Sequence, residues 1–354
     1  MTTSAPTRVV VADDSAMMRQ IVSTSLTRAG VQVVGTAANG DEALAACERE
    51  RPDALMLDLT MPGLDGIGVL RTLRQRGRSD MPVIVVSAFS PEHGARAVDA
   101  LAEGAFDLVA KPKLGDGLDG FAAELVDKVR AATARMRPVP WRTLSESRTD
   151  ATGSINRVVV PRRHRAASGA KAVLIATSTG GPKALADLVP KLPARLGLGT
   201  LIVQHMPPGF TRSLSTRLDQ SSRLTVREAA GGERLDPAVA LLAPGGLHMR
   251  LGNDGRVNLT DEPEIGALRP RADLMIEDAA KFYGDRTVLV VMTGMGNDGL
   301  VGAREVRRRG GRILVEAQST CTVYGMPRAV NEAKLADEVL PLHELAQAIT
   351  EEAA

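Results

Sequence analysis

The chain has 354 residues, 44% of them hydrophobic and 24% charged, with a formal net charge of +2 at neutral pH. Such a length exceeds one typical domain, and the composition is that of a folded globular protein. Near-neutral charge and only 2% aromatic residues argue against a nucleic-acid partner, and no stretch approaches the roughly 20 apolar residues of a membrane span.

From Arg8 onward, short apolar runs at 8–13, 31–37, 54–58, 82–88 and 107–111 alternate with amphipathic stretches of helical period. Near-continuous apolar strands between helices predict a parallel sheet covered on both faces, so residues 1–137 read as one doubly wound domain. Residues 138–168 lose periodicity and mix Pro, Ser, Thr, Gly and Arg; within 138–165 six arginines face two acids, which predicts a basic flexible linker. After Ala170 the alternation resumes, with strands expected at 172–177, 200–205, 239–244, 287–293 and 312–317. Residues 248–260 form two short segments around Asn253-Asp254-Gly255, a hairpin signal. The second domain, 169–354, is therefore predicted as a larger parallel α/β sheet with a β-hairpin insertion. Cys47 and Cys321 fall in different halves with no metal-type spacing, and the start has no apolar signal core. A soluble, cytoplasmic protein without direct membrane insertion is expected.

Ligands of open parallel sheets bind at the carboxyl ends of the strands. In the first half those ends carry Asp13 and Asp14, Asp58, Ser87 and Lys111. Three converging carboxylates need a cation, and oxygen-only ligation suits Mg2+; a lysine and a hydroxyl nearby would hold phosphoryl oxygens, with Asp58 as covalent acceptor. Helix capping explains Asp13 or Asp14 alone but not five such residues at strand ends. These stretches ("VADDS", "LMLDLTMPGLDG", "VVSAFS", "FDLVAKP") resemble the receiver domain of two-component response regulators, over about residues 8–130. The resemblance implies a flavodoxin-like fold and phosphorylation of Asp58 by a histidine kinase. It also implies Mg2+ held by Asp13, Asp14, Asp58 and a backbone carbonyl, with switching through Ser87 and Phe106. Phe106 lacks the hydroxyl of an aromatic tyrosine switch, and Thr60 stands where many relatives have an acid or Asn.

In the second half, "ATSTGGP" (176–182) places Ser178 on a turn between an apolar strand and a helix, the setting of a nucleophile or of a phosphate loop. Neither this segment nor "MTGMGNDG" (292–299) fits the P-loop or dinucleotide fingerprint. Of five histidines, His93 falls in a receiver helix, His164 in the linker and His343 at the start of the last helix. His205 closes a strand at the same sheet edge as Ser178 and is preferred as base on geometric grounds, with His248 as the alternative. Asp298 emerges at that edge as the orienting acid; the amides of its glycine-rich loop, with those after Ser178, are candidate oxyanion donors. The segments "STGGP", "QHMPPGFT", "LAPGGLHM", "RPRAD", "MTGMGNDG" and "YGMPRAV" are similar to the chemotaxis protein-glutamate methylesterases, across about 170–354. That resemblance implies a nucleophile at Ser178, a general base at His205, an orienting carboxylate at Asp298 and the Met295 amide in the oxyanion hole. The implied reaction is demethylation of glutamate methyl esters on chemoreceptor cytoplasmic domains, with deamidation of receptor glutamines and no cofactor for the ester step. Chemoreceptors as substrate, a chemotaxis histidine kinase as phosphodonor, a monomeric state and recruitment to receptor arrays are the corresponding expectations. A response-regulator scaffold with an inactive esterase domain is the alternative, because Thr177 replaces the small residue usual before the serine.

Overall fold

A computed structural model describes residues 5–78, 80–88, 91–112, 117–134 and 169–354. The linker expected at 138–168, with His164, lies outside the described residues. The first unit runs β1 (Arg8–Ala12), α1 (Ala16–Arg28), β2 (Gln32–Ala37), α2 (Gly40–Glu50), β3 (Ala54–Leu57), α3 (Gly66–Gln75), β4 (Val83–Ser87), α4 (Pro91–Ala102), β5 (Asp107–Ala110) and α5 (Leu118–Ala134). Its five strands pair in parallel in the order β2-β1-β3-β4-β5. The buried ALML of β3 and VIVVS of β4 occupy the middle of this sheet, as strands covered on both faces must.

The second unit continues with β6 (Ala172–Thr177), α6 (Gly181–Leu188), β7 (Gly199–Gln204), α7 (Phe210–Ser221), β8 (Thr225–Glu228), β9 (Val239–Leu242), β10 (His248–Leu251) and β11 (Val257–Thr260). After these come α8 (Ala272–Tyr283), β12 (Thr287–Val291), α9 (Leu300–Arg309), β13 (Arg312–Glu316), α10 (Met326–Glu332), β14 (Glu338–Leu340) and α11 (Leu342–Ala353). Seven parallel strands pair in the order β14-β13-β12-β6-β7-β9-β8, and β10-β11 form the separate antiparallel hairpin. Strands β8 and β14, absent from the sequence reading, are the two edges of this sheet. The fold is thus α/β with two parallel-sheet units, and no described helix is long and apolar enough to cross a membrane.

The two units touch. Gly94 of α4 lies against the start of α7, where a Cβ would stand 3.0 Å from Ser213 Oγ and 3.2 Å from the Gly209 carbonyl. Asp99 of α4 pairs with Arg217 of α7, and Val323 packs against the apolar cluster of the first unit that includes Phe121.

Candidate active site

The switch in strand order between β12, β6 and β7 decides which residues meet. Strand β6 lies between β12 and β7, with Thr177 opposite Gln204 and Ala176 opposite Val291. One residue past that register, Ser178 and His205 leave the sheet side by side. The Ser178 N–H donates to the Thr293 carbonyl at 3.0 Å, and the His205 N–H donates to the Thr177 carbonyl at 3.1 Å. Gln204, 2% exposed, donates through Nε2 to both the Ser178 and His205 carbonyls, each at 2.9 Å. Sequence reasoning passed over this residue, although a buried glutamine closing an apolar strand was its signal.

Two glycines follow the serine for separate reasons. Gly180 caps α6 at φ +78, a conformation that favours glycine, with the Thr322 side chain against it. At Gly181 a Cβ would stand 1.9 Å from Gln204 Oε1 and 2.4 Å from Thr177 Oγ1, so no larger residue fits. Thr177 itself is fully buried and donates its hydroxyl to the Thr293 carbonyl at 2.9 Å. Its bulk is accommodated: the side chain ties β6 to the loop after β12.

His205 Nε2 lies 2.7 Å from Asp298 Oδ2, which leaves Nδ1 as the ring nitrogen not engaged by Asp298. Asp298 is 2% exposed and accepts further bonds from the N–H groups of Ala272 (2.7 Å), Asp273 (2.9 Å) and Gly299 (2.9 Å). Two helix starts, those of α8 and α9, therefore converge on one carboxylate, each favouring negative charge there. Burial opposes ionisation of Asp298, but the bond from His205 and those from the amides outweigh it and hold the carboxyl well below the usual range. A carboxylate held ionised beside an imidazole orients the ring and favours its protonated form.

His248 has a different job. It is fully buried; Nδ1 accepts the Arg271 N–H at 3.2 Å and Nε2 lies 3.2 Å from the Pro263 carbonyl. Both nitrogens are occupied in bracing the loop before α8. In the glycine-rich loop, the Gly294 N–H donates to the Val323 carbonyl at 3.0 Å and is not free for an oxyanion. The sequence reading of that amide as a donor is corrected on this ground. Met295 lies next in the chain, and among the described residues its N–H has no protein acceptor. Met295 also lines a cleft of about 590 Å³ with Asn297 and Tyr324, to which Asp127 and Arg130 of α5 contribute as well.

In the first unit, oxygens of Asp13, Asp14 and Asp58 lie within 4.8 Å of one another at the carboxyl edge. Lys111 Nζ sits 2.7 Å from Asp13 Oδ2 and 2.8 Å from Asp58 Oδ2. Burial, only partly offset by Lys111, pushes the Asp13 carboxyl up. Burial works against the Lys111 charge too, but the two carboxylates outweigh it and raise its pKa. A crowded all-oxygen donor set of this kind, with Asp13 and Asp58 buried and Asp14 open to solvent, fits a hard divalent cation such as Mg2+. Ser87 is fully buried with its Oγ unpartnered among the described residues, and Phe106 is turned into the core. His93 falls on α4, and His343, exposed at the start of α11, lines a cleft with Gly180, Lys183 and Thr322 and lies beside Glu344.

Comparison with known proteins places both units. The family described as CheB methylesterase matches residues 173–349, and that described as response regulator receiver domain matches 9–119. A curated protein from Symbiobacterium thermophilum, named protein-glutamate methylesterase/protein-glutamine glutaminase, is 42% identical over 98% of this chain and 96% of its own. A second so named, from Syntrophomonas wolfei, is 39% identical over 97% of this chain and 98% of its own. Among solved structures, the Thermotoga maritima CheB methylesterase catalytic domain is 42% identical, with a TM-score of 0.50, covering 52% of this chain and 99% of that one.

Proposed function

Since the chain belongs to the CheB methylesterase family and carries a receiver domain ahead of the esterase unit, we propose that it is a phosphorylation-regulated serine hydrolase acting on chemoreceptors in the cytoplasm. Its substrates are γ-glutamyl methyl esters on receptor cytoplasmic helices, together with specific receptor glutamines. The observation that carries the reading is the register that sets Ser178 beside His205, with His205 bonded to a buried, ionised Asp298.

Ser178 Oγ attacks the ester carbonyl while His205 Nδ1 takes its proton. The developing oxyanion is met by the Met295 amide. Collapse expels methanol, protonated by His205, and leaves an acyl-enzyme at Ser178. Water, deprotonated by the same imidazole, then releases the glutamate side chain. For a glutamine the leaving group is ammonia and the remaining steps are identical.

The cleft shared by α5 and the Met295 loop supports a model of regulation. Asp127 and Arg130 line one cleft with Met295, which supports a receiver that stands in the path of an approaching receptor helix. A histidine kinase would phosphorylate Asp58, with Asp13, Asp14 and Asp58 holding Mg2+. The ion supplies charge neutralisation for the phosphoryl oxygens, and Lys111 and Ser87 bind those oxygens from the protein. Phosphorylation raises activity only as far as it favours the open arrangement. Methanol release from a methylated receptor fragment tests the reading: Ser178→Ala should remove nearly all of it, and an unchanged rate would refute the assignment.

A further inference from the structure

We propose that Arg271 and Asp273 are a charge-balanced positioning pair that holds Asp298 and sets how strongly its carboxylate acts on His205; this rests on the Ser178–His205–Asp298 reading. Arg271 stands immediately before α8, and its guanidinium reaches two carboxylates. Nε lies 3.4 Å from Asp298 Oδ1, and Nη2 lies 2.9 Å from Asp273 Oδ2. Nη1 donates to the Ile265 carbonyl at 3.0 Å, and the backbone N–H donates to His248 Nδ1, so the arginine is fixed from three sides. Asp273 is 3% exposed, and its other oxygen accepts the Gly302 N–H in the first turn of α9 at 2.8 Å.

A second buried acid beside the catalytic carboxylate is costly to ionise. Burial first, and the Asp298 charge second, push the Asp273 carboxyl up to about 6. A helix cap at Gly302 needs only an oxygen, which asparagine would provide without that cost. Charge balance explains the acid. Arg271 alone would cancel part of the Asp298 charge that His205 feels; with Asp273 also paired to it, the guanidinium is shared and Asp298 keeps its full effect. The titratable and charged groups around Asp298 are then His205 after β7, Arg271 and Asp273 at the start of α8, and His248 at the start of β10 behind Arg271. Arg271 and Asp273 touch no reacting atom in this scheme; they act through Asp298.

The test is the pH profile of kcat/KM for methanol release by the full chain, with melting curves to verify folding. Removing the Asp273 charge leaves the Arg271 cation unbalanced, which disfavours the imidazolium. Asp273→Asn should therefore move the acidic limb to lower pH, by about half a unit or more. Arg271→Gln should lower kcat about 10- to 100-fold with KM little changed, because misplacement of the triad affects the chemical step. Arg271→Lys, which keeps the cation, should recover much of that loss. An Asp273→Asn limb that superimposes on wild type, or Arg271→Lys no better than Arg271→Gln, would overturn the proposal. If Asp273→Asn does not fold, the two Arg271 variants decide alone. A Ser178→Ala control keeps the outcomes distinct: full activity there sinks the triad reading itself, whereas an inactive control with unshifted variants sinks only the pair.

Discussion

Asp298→Asn is the substitution whose consequence can be worked most closely from the structure. Each carboxylate oxygen accepts two hydrogen bonds: Oδ2 from His205 and Ala272, Oδ1 from Asp273 and Gly299. An asparagine has one oxygen to offer, so its NH2 must face donors on one side. Turned toward Asp273 and Gly299, the NH2 meets two fixed N–H groups and the Arg271 guanidinium. Turned the other way it meets one fixed N–H, that of Ala272, and a histidine that can change tautomer to accept. The second orientation is the less costly, and it puts the His205 proton on Nδ1, facing the serine it should deprotonate. Activity should then fall roughly 10⁴-fold, the size of a tautomer error in a Ser-His-Asp triad, against roughly 10⁶-fold for Ser178→Ala. The lost bond at Ala272 and the lost charge cost about 2–4 kcal/mol, lowering the melting temperature by roughly 5–15 °C for a unit of this size. Methanol release and a thermal melt read the two numbers. A variant that melts with wild type and keeps more than about a tenth of its kcat would refute the tautomer argument.

Three further outcomes follow from other parts of the molecule. Thr177→Ala removes a buried hydroxyl bond and a methyl group but leaves the Ser178 N–H on the Thr293 carbonyl; it should cost about 1–2 kcal/mol in a denaturant melt with kcat within about threefold of wild type, and a large activation would mean Thr177 restrains the nucleophile. Gly94→Leu inserts a side chain where α4 meets Ser213 and Gly209; the unphosphorylated chain should become faster in methanol release, approaching the rate of a 169–354 fragment, and an unchanged rate would remove α4 from the masking contact. Asp58→Asn should lose beryllofluoride binding and activation by small phosphodonors while keeping basal turnover, and activation that survives would move the acceptor elsewhere.

The parts of this fold that the sequence made legible are those buried on both faces. Every interior strand of both sheets carries a continuous apolar run, and a run of that kind has few other uses in a chain rich in helical periodicity. The two missed strands are both edges. Strand β8 alternates exposed and buried residues over only four positions, and β14 is three residues long, so neither leaves a run to read. The same contrast governs the site. Ser178, His205 and Asp298 each end an apolar strand or follow it closely, so the rule that ligands gather at carboxyl edges brings them together without coordinates. Arg271 and Asp273 reach the site by another route. They stand at the amino end of α8, after a loop braced by His248 and Pro263, and nothing local in "RPRAD" says which strand end that helix start will face. Only the packing of α8 against α9 aims both helix starts at Asp298. Strand-borne residues can be placed from the chain because a sheet has a register; residues that reach a site through a helix start depend on how helices pack, and that is settled by the core as a whole.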